Sequence, residues 1–397
     1  MLFGGRGLIS NSSKISVCLL CGSAGLQELS DFGSLSRITS DCRPFRPGGR
    51  IATCNICGGI QKLCDSKWLS EVKEIYSTYS TYSVVGPLDQ MVLDPKKNIL
   101  RPRCAVLSDQ LTTALNLAEC GAWLDYGCGR GAMLEALSNI LPNWQLNGVD
   151  LDKQQLSYLR SIKGFKRLYD ADQDKINETF DMVSMVHSLE HFANPFNTLL
   201  QARKLLTEHG RLFIQVNDTQ KNPFELVVAD HLTHFTPETL CQIVRRAGFE
   251  VTMVTSDWIT KELSLLAKPQ RALGPSFRIP HSRGQPGAQV LSQLQWLMDL
   301  VEIGKASSSV SRIGIFGSSI AATWLNEHLQ DQVLFFVDED PAKAGKTHVG
   351  KPIYTPSQVK PGSQVLIGLI PEIATAVYDR LQTLPIRFIL PNPLVFE

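Results

Sequence analysis

The stretch Trp123–Gly131, WLDYGCGRG, decides the fold class of this chain. An apolar run ends at Asp125, and the helix-like AMLEALSNIL follows the stretch. The glycines in it occupy alternate positions, Gly127, Gly129 and Gly131. Such glycines let a strand turn sharply into a helix, and they let backbone amides approach a ligand without a Cβ in the way. On its own this turn is weak evidence for a function, because dinucleotide enzymes and structural turns use similar strings.

Acidic residues stand at the ends of the next apolar runs. LNGVD ends in Asp150, roughly twenty residues after the turn, where a carboxylate can accept both hydroxyls of a ribose. YDAD then supplies Asp170, and FDMVSMVHSLEHF supplies a fourth strand and the start of its helix. Short apolar runs that alternate with helix-like stretches predict an α/β fold with a mainly parallel sheet covered by helices.

This succession resembles the class I methyltransferases, whose fold is Rossmann-like. The resemblance implies that the turn, with Asp125, Gly127, Gly129 and Gly131, holds the methionine part of S-adenosylmethionine (SAM). It also implies that Asp150 holds the ribose, that Asp170 meets the adenine and that His187 borders the cofactor. We therefore expect a SAM-dependent methyltransferase.

Two other chemistries compete for these residues. An NAD site would need GxGxxG, and DYGCGRG differs from it in the spacing of the last glycine. HSLEH, with His187, Glu190 and His191, fits the HxxEH pattern of inverted zinc peptidases. Metal ligation would need both histidines on one face of a helix, whereas this string begins where the apolar strand DMVSMV ends. We therefore set the peptidase interpretation aside.

Two CxxC pairs, CLLCG and CNICG, precede this region. In a reducing compartment such pairs indicate a metal before disulfides, and four thiolates suit tetrahedral zinc. The ion would be structural, because no open position would remain for catalysis. Cys42 and Cys64 are spare cysteines that could replace a ligand, and redox-active or merely buried thiols remain the alternative. The expected ligands are Cys18, Cys21, Cys54 and Cys57.

The end of the chain restarts the alternation with RIGIFGSS, the helix-like AATWLNEHL and VLFFVDEDP. Gly314 and Gly317 lie in the first turn, and Asp338 follows the second strand. This predicts a second, smaller α/β unit. An NAD site stays open as an alternative here, although GxxGSS lacks the full dinucleotide fingerprint.

The paired cysteine motifs, DYGCGRG and VVADHLTHFTPETL together resemble the sugar C-methyltransferases that act on nucleotide-linked deoxyketosugars. The resemblance covers most of the chain. It implies an acid–histidine pair after the fifth strand, here Asp230 and His231, with His231 as the general base. It also implies that His191 is the second active-site histidine, and that the last α/β unit helps to hold the nucleotide of the substrate.

The tyrosines do not decide whether the methyl acceptor is a carbon or an oxygen atom. The resembled family has a tyrosine near the amino-terminal module, which here is Tyr76, Tyr79 or Tyr82, and we favour the last two. A second tyrosine upstream of the acid–histidine pair is replaced by Val228 and Ala229. VVADHLTHFTPETL also resembles glycan-modifying methyltransferases in which oxygen can be the acceptor. We therefore keep O-methylation of a glycan or its precursor beside C-methylation of a sugar.

A histidine base would suit either reaction. Neutral imidazole, with an ordinary pKa near 6.5, can take a proton from the acceptor, and Asp230 could orient the ring. His231 and His234 could instead be capping or core residues, and the tyrosine run could simply pack under the module. A non-catalytic sugar-nucleotide binding protein is a further alternative, against which the intact turn and Asp150 argue.

Length and charge limit the remaining classes. A chain of 397 residues is too long for a single hydrophobic core, so we expect more than one domain. Its 39 basic and 38 acidic residues nearly balance, so no overall electric field favours nucleic acid or a membrane. No segment has the pattern of a membrane span or signal peptide, so we expect a cytoplasmic protein with a small-molecule substrate. The predicted units are a zinc-binding module (15–70), a tyrosine-rich bridge (71–110), the methyltransferase domain (111–268), a linker (269–289) and a Rossmann-like domain (290–397).

Overall fold

The computed structural model describes residues 17–78, 89–97, 99–151, 153–270, 286–309 and 311–395. The amino-terminal module is a small antiparallel sheet followed by a helix. A fourth strand, contributed by the middle of the chain, joins this sheet at the edge of its last strand. The elements of the module are β1 (Leu26–Leu29), β2 (Arg37–Ile38), β3 (Pro44–Phe45), β4 (Ile51–Cys54), β5 (Ile60–Lys62) and α1 (Ser66–Ser77).

The middle of the chain builds the largest sheet. The elements of this part of the chain are β6 (Met91–Asp94), β7 (Ile99–Pro102), α2 (Arg103–Ala114), β8 (Gly121–Tyr126), α3 (Ala132–Ile140), β9 (Trp144–Asp150), α4 (Leu156–Leu159), β10 (Phe165–Asp170), β11 (Phe180–Val186), α5 (Pro195–Leu205), β12 (Leu206–Asn217), β13 (Thr233–His234), α6 (Pro237–Arg246), β14 (Phe249–Thr255) and β15 (Glu262–Pro269).

The seven strands of this sheet run in the order β10-β9-β8-β11-β12-β15-β14. The first five are parallel, and β15 pairs antiparallel with both β12 and β14. Strand β11 is buried along most of its length, as expected for a strand with helices on both faces. The predicted mainly parallel α/β fold is thus confirmed, with an antiparallel pair at one edge. Strand β13 leaves this domain and extends the module's sheet beside β5.

The end of the chain forms the second α/β sheet, in the order β18-β19-β17-β16-β20-β21. A long helix that contains VLSQLQWLMDLVEIG precedes it, whereas the predicted linker 269–289 falls mostly outside the described residues. The elements are α7 (Pro286–Ser308), β16 (Ile313–Phe316), α8 (Ile320–Leu329), β17 (Val333–Val337), β18 (Thr347–His348), β19 (Lys351–Tyr354), β20 (Gln364–Leu366), α9 (Pro371–Leu381) and β21 (Arg387–Ile389).

A shared hydrophobic core joins the three parts. Phe32 of the module, Phe224 of the middle domain and Trp324 of α8 belong to one buried cluster. The indole Nε1 of Trp324 also donates to the carbonyl of Ser36 at 2.9 Å. The parts are therefore packed on one another, and a site lined by all three can exist. Within the described residues, we find no helix with both the length and the apolar character needed to cross a bilayer.

Candidate active site

The glycine turn follows β8 directly. Gly127, Gly129 and Gly131 all have positive φ angles, of 85°, 50° and 86°. A Cβ on Gly127 would lie 2.5 Å from the Cβ of Ser188, so only glycine lets the turn pack there. A Cβ on Gly129 would meet nothing within 4 Å, and this glycine lines the cavity described below. The turn therefore presents bare backbone to a ligand, as the sequence predicts.

The acids at the ends of β8 and β9 meet at this turn. Asp150 accepts from the backbone N–H of Gly129 at 2.7 Å. Asp125 accepts from the Ser184 hydroxyl at 2.6 Å, and burial raises the pKa of Asp125 to about 7. Both acids line the cavity, and their contact with the cofactor stays a prediction.

Asp170 lies at the end of β10, outside the lining that the described residues give this cavity. Its carboxylate contacts Lys153 Nζ at 2.7 Å, and this ammonium holds the pKa of Asp170 below its usual range. The adenine contact of Asp170 stays a prediction. Leu151, Gln154 and Gln155 are the lining residues that follow Asp150, and sequence reasoning missed them.

The cavity has a volume of about 620 Å³, within the size range of small-molecule sites. It extends from the glycine turn to the carboxy-terminal domain. Besides the glycine turn, residues from all three parts of the chain line it, including Ser40, Cys42, Tyr76, His191, Phe224, Glu225, Val228, His231, Lys261, Ser319, Ile320, Ala321, Leu369, Ile370 and Ile373.

His231 is held by an acid that the sequence did not suggest. Its Nδ1 lies 2.6 Å from Oε1 of Glu225, which is buried in the 3-10 turn Pro223–Val227. Burial disfavours the charged ring, but Glu225 outweighs it and raises the pKa of His231. The charged partner likewise holds the pKa of Glu225 below its usual range against the effect of burial. No motif marks Glu225, because six positions separate it from His231.

Asp230, expected to orient His231, faces the module instead. Its carboxylate accepts from the backbone N–H of Ser40 at 2.8 Å and from the Ser40 hydroxyl at 2.5 Å. These donors satisfy both carboxylate oxygens, so the ring of His231 turns to Glu225. The expectation that Asp230 orients His231 is therefore replaced by a Glu225–His231 pair.

His191 and Tyr76 line the cavity beside His231. The Tyr76 hydroxyl lies 2.9 Å from Nδ1 of His191, and the Asp230 carbonyl lies 3.2 Å from the same nitrogen. A carbonyl can only accept, so a proton on Nδ1 would satisfy this contact and leave Nε2 as the acceptor, whereas the Tyr76 hydroxyl can pair with either tautomer. The rings of His191 and His231 meet edge to face at 4.5 Å. Burial, and then the His231 ring, lower the pKa of His191.

Of the three candidate tyrosines, Tyr76, which we did not favour, is the one that lines the cavity among the described residues. Tyr79 and Tyr82 lie outside the described residues, and their role stays a prediction. Tyr76 lies in the last turn of α1, the helix of the module that packs against the middle domain. The burial of α1 around Trp68 brings this tyrosine to the cavity. The repeat YSTYSTY in the sequence gives no sign of this packing.

His187 lines the cavity next to the glycine turn, and its contact with the cofactor stays a prediction. Its Nε2 lies 3.0 Å from Glu262, and its Nδ1 lies 3.4 Å from Glu190. Burial and Arg103 disfavour the charged ring, but the two carboxylates prevail and raise its pKa to about 9. His187 and His191 thus contact different partners, and the segment between them ends in a 3-10 turn rather than an α-helix. The HxxEH arrangement of a peptidase is not formed.

The CxxC motifs form one cluster. The Sγ atoms of Cys18 and Cys57 are 3.5 Å apart, those of Cys21 and Cys54 are 3.6 Å apart, and all four lie within 4.8 Å of one another. Zn–S bonds of about 2.3 Å give tetrahedral S···S edges of roughly 3.8 Å, so the donor set fits zinc. Of the spare cysteines, Cys42 lines the cavity and Cys64 is exposed.

Comparisons with known proteins agree with this geometry. A family model described as a methyltransferase domain matches residues 100–254. The ubiquinone biosynthesis O-methyltransferase of Photobacterium profundum is 24% identical over 125 residues, 29% of this chain and 52% of that protein. The protein of the same name from Vibrio cholerae serotype O1 is 27% identical over 125 residues, 29% of this chain and 50% of that protein. The chain spans about half the length of these curated relatives.

Among solved structures, a SAM-dependent methyltransferase from Clostridium acetobutylicum ATCC 824 aligns with a TM-score of 0.36 and 16% identity. The alignment covers 51% of this chain and 99% of that chain. The strand order, the glycine turn and the family match define residues 100–254 as a class I methyltransferase domain. Its methyl donor is SAM.

Proposed function

We propose that this chain transfers the methyl group of SAM to a nucleotide-linked sugar, at the carbon beside a keto group. The observation that carries the proposal is the meeting of two histidines at the cavity. His231 is paired with Glu225, and His191 with Tyr76, and all four residues line the cavity. A site for proton removal therefore lies in the same cavity as the turn that holds the cofactor.

The glycine turn and Asp150 would hold SAM, because the turn offers bare backbone and Asp150 a carboxylate for the ribose. When bound, SAM supplies a methyl group on a sulfonium, which is an excellent leaving group. The chain must then orient the acceptor and remove its proton. His231 serves as the base through Nε2, and Glu225 fixes the tautomer and stabilises the imidazolium that forms.

Tyr76 and His191 support the carbon acceptor. Removal of a proton beside a ketone leaves negative charge on the keto oxygen, and a nearby donor lowers the energy of that enolate. The hydroxyl of Tyr76 lines the cavity, and its contact with His191 fixes its position. A methylated hydroxyl would need no such donor.

The cavity also has groups that favour an anionic acceptor. Lys261 lines it, and among the described residues its ammonium has neither a hydrogen bond nor an ion pair. The N-cap residues of helices α8 and α9 also line the cavity, and neither N-cap side chain bonds a helix N–H. Lysine and helix N-termini both attract phosphate. These groups therefore suit the diphosphate of a nucleotide sugar, consistent with the role expected of the carboxy-terminal domain.

The cysteine cluster would hold a structural zinc ion. All four ligands come from the protein, and the cluster lies in the module rather than at the cavity. The ion would then stabilise the module without taking part in methyl transfer.

One experiment tests the acceptor. The protein is incubated with methyl-labelled SAM and a set of dTDP- and GDP-linked ketosugars, and the label is located by NMR. We expect label on carbon, and we also expect deuterium from D2O to enter the carbon beside the ketone when S-adenosylhomocysteine replaces SAM. The absence of both label and exchange on every nucleotide sugar would contradict the proposal.

O-methylation is the second candidate. Val228 lines the cavity where the resembled family carries a tyrosine, so one donor expected for an enolate is missing. The relatives reported above are also O-methyltransferases by name. Label on a hydroxyl oxygen, without deuterium exchange, would select this candidate.

A further inference from the structure

The module holds the backbone of the acid–histidine segment, residues 228–232. The indole Nε1 of Trp68 donates to the carbonyl of Ala229 at 3.1 Å. The backbone N–H of Lys62 donates to the carbonyl of Leu232 at 2.8 Å. Strand β13 then continues beside β5 in the module's sheet. The segment thus depends on the module for its position, although it belongs to the methyltransferase domain.

The side chain of Lys62 makes the central contact. It is fully buried, and its ammonium donates to the carbonyls of Val228 and His231, the latter at 3.0 Å. Burial lowers the pKa of Lys62 to about 7. A fully buried lysine is costly unless its donors are used, and here one nitrogen serves two carbonyls on either side of Asp230.

We propose that Lys62 is a positioning residue for methyl transfer, which holds the backbone at Val228 and His231 so that the His231 ring stays against Glu225. The role rests on the proposed function, because His231 is the base in that reaction. Its physical basis is that a buried carbonyl without a donor shifts until it finds one. A shift of the His231 backbone would lengthen the 2.6 Å contact of its ring with Glu225 and misplace Nε2.

The competing explanation is that Lys62 only stabilises the module. The two roles differ in where the damage appears. A positioning role predicts changes confined to residues 228–234 and to turnover. A structural role predicts loosening of the module's sheet, β1, β4 and β5, together with loss of the metal from the cysteine cluster.

Lys62→Met removes the donor and keeps a long apolar side chain, whereas Lys62→Gln keeps an amide donor. Lys73→Met is the matched control, because Lys73 is an exposed lysine on α1 of the same module. We expect Lys62→Met to lower kcat about tenfold or more while SAM affinity stays within about twofold, since the glycine turn is untouched. The kcat of Lys62→Gln should lie between those of the wild type and Lys62→Met, and the control should have the kcat and SAM affinity of the wild type.

Amide hydrogen exchange of the whole chain without substrate supplies a readout that does not depend on methyl transfer. Exchange in residues 228–234 should rise in Lys62→Met, while β4 and α3 keep their protection. If this happens but the wild type methylates no acceptor, the proposed function fails and the positioning contact stands. Wild-type exchange in 228–234 with wild-type turnover would overturn the proposal, as would equal loosening of the whole module in both Lys62 variants.

Discussion

The two halves of the cavity are built in different ways. The cofactor half comes mainly from one continuous stretch, β8 to β9, in which Asp125, the glycine turn and Asp150 are close in sequence as well as in space. The acceptor half is assembled from distant segments: Ser40 and Tyr76 of the module, His231 and Lys261 of the middle domain, and the start of α8. Cofactor binding therefore needs one local structure, whereas acceptor chemistry needs all three parts packed together.

This comparison predicts a separation of effects. Substitutions in the cofactor half should change SAM affinity, and substitutions in the acceptor half should change turnover or acceptor affinity without changing SAM affinity. The following variants test the separation, in order of decreasing expected effect.

His231→Ala removes the proposed base. Turnover should fall about a hundredfold, the usual contribution of a positioned general base, while calorimetry shows unchanged SAM affinity. His209→Ala is the matched control, because His209 is an exposed residue of β12. Wild-type turnover of His231→Ala with labelled SAM would remove His231 from the mechanism.

Asp150→Ala tests the other half. The variant loses the carboxylate assigned to the ribose and the partner of the Gly129 N–H, so the dissociation constant of SAM should rise roughly thirtyfold, as for two lost charge-assisted hydrogen bonds. At saturating SAM, turnover should stay near that of the wild type. Asp172→Ala, at an exposed position, is the control. Wild-type SAM affinity of Asp150→Ala by calorimetry would refute the ribose assignment.

Glu225→Gln tests the pair that replaces the expected Asp230–His231 contact. Glu225 raises the pKa of His231, so its loss lowers that pKa and moves the acid limb of the kcat/KM profile to lower pH. The plateau value of kcat/KM should fall about tenfold, because the imidazolium of His231 loses the stabilising charge of Glu225. Glu238→Gln, at an exposed acid in the first turn of α6, should leave the profile unchanged. If Asp230→Asn moves the limb and Glu225→Gln does not, the assignment of the orienting acid is wrong.

The same contrast explains what the sequence could predict. Asp125, the glycines and Asp150 are set by strand ends and φ angles, which leave a local pattern, and the four cysteines are set by motif spacing. Glu225 and Lys261 have no such local pattern. Glu225 lies in a 3-10 turn, and Lys261 itself has a left-handed backbone conformation just before β15. Asp230 was misassigned for the same reason: the packing of Ser40 against it, 190 positions away in the chain, decides where its carboxylate points.

Lys261→Met gives the smallest expected effect and the sharpest test of the acceptor. Burial lowers the pKa of Lys261, and a bound phosphate would raise this pKa again because it stabilises the charged ammonium. Loss of one charge-assisted contact should raise the KM of a nucleotide sugar about fivefold to tenfold, with kcat and SAM affinity little changed. Lys268→Met is the control, since Lys268 pairs with Glu250 on the surface. An acceptor without phosphate should show no difference between wild type and Lys261→Met. Equal losses on acceptors with and without phosphate would contradict the anionic end of the cavity while leaving the roles of His231 and Asp150 intact.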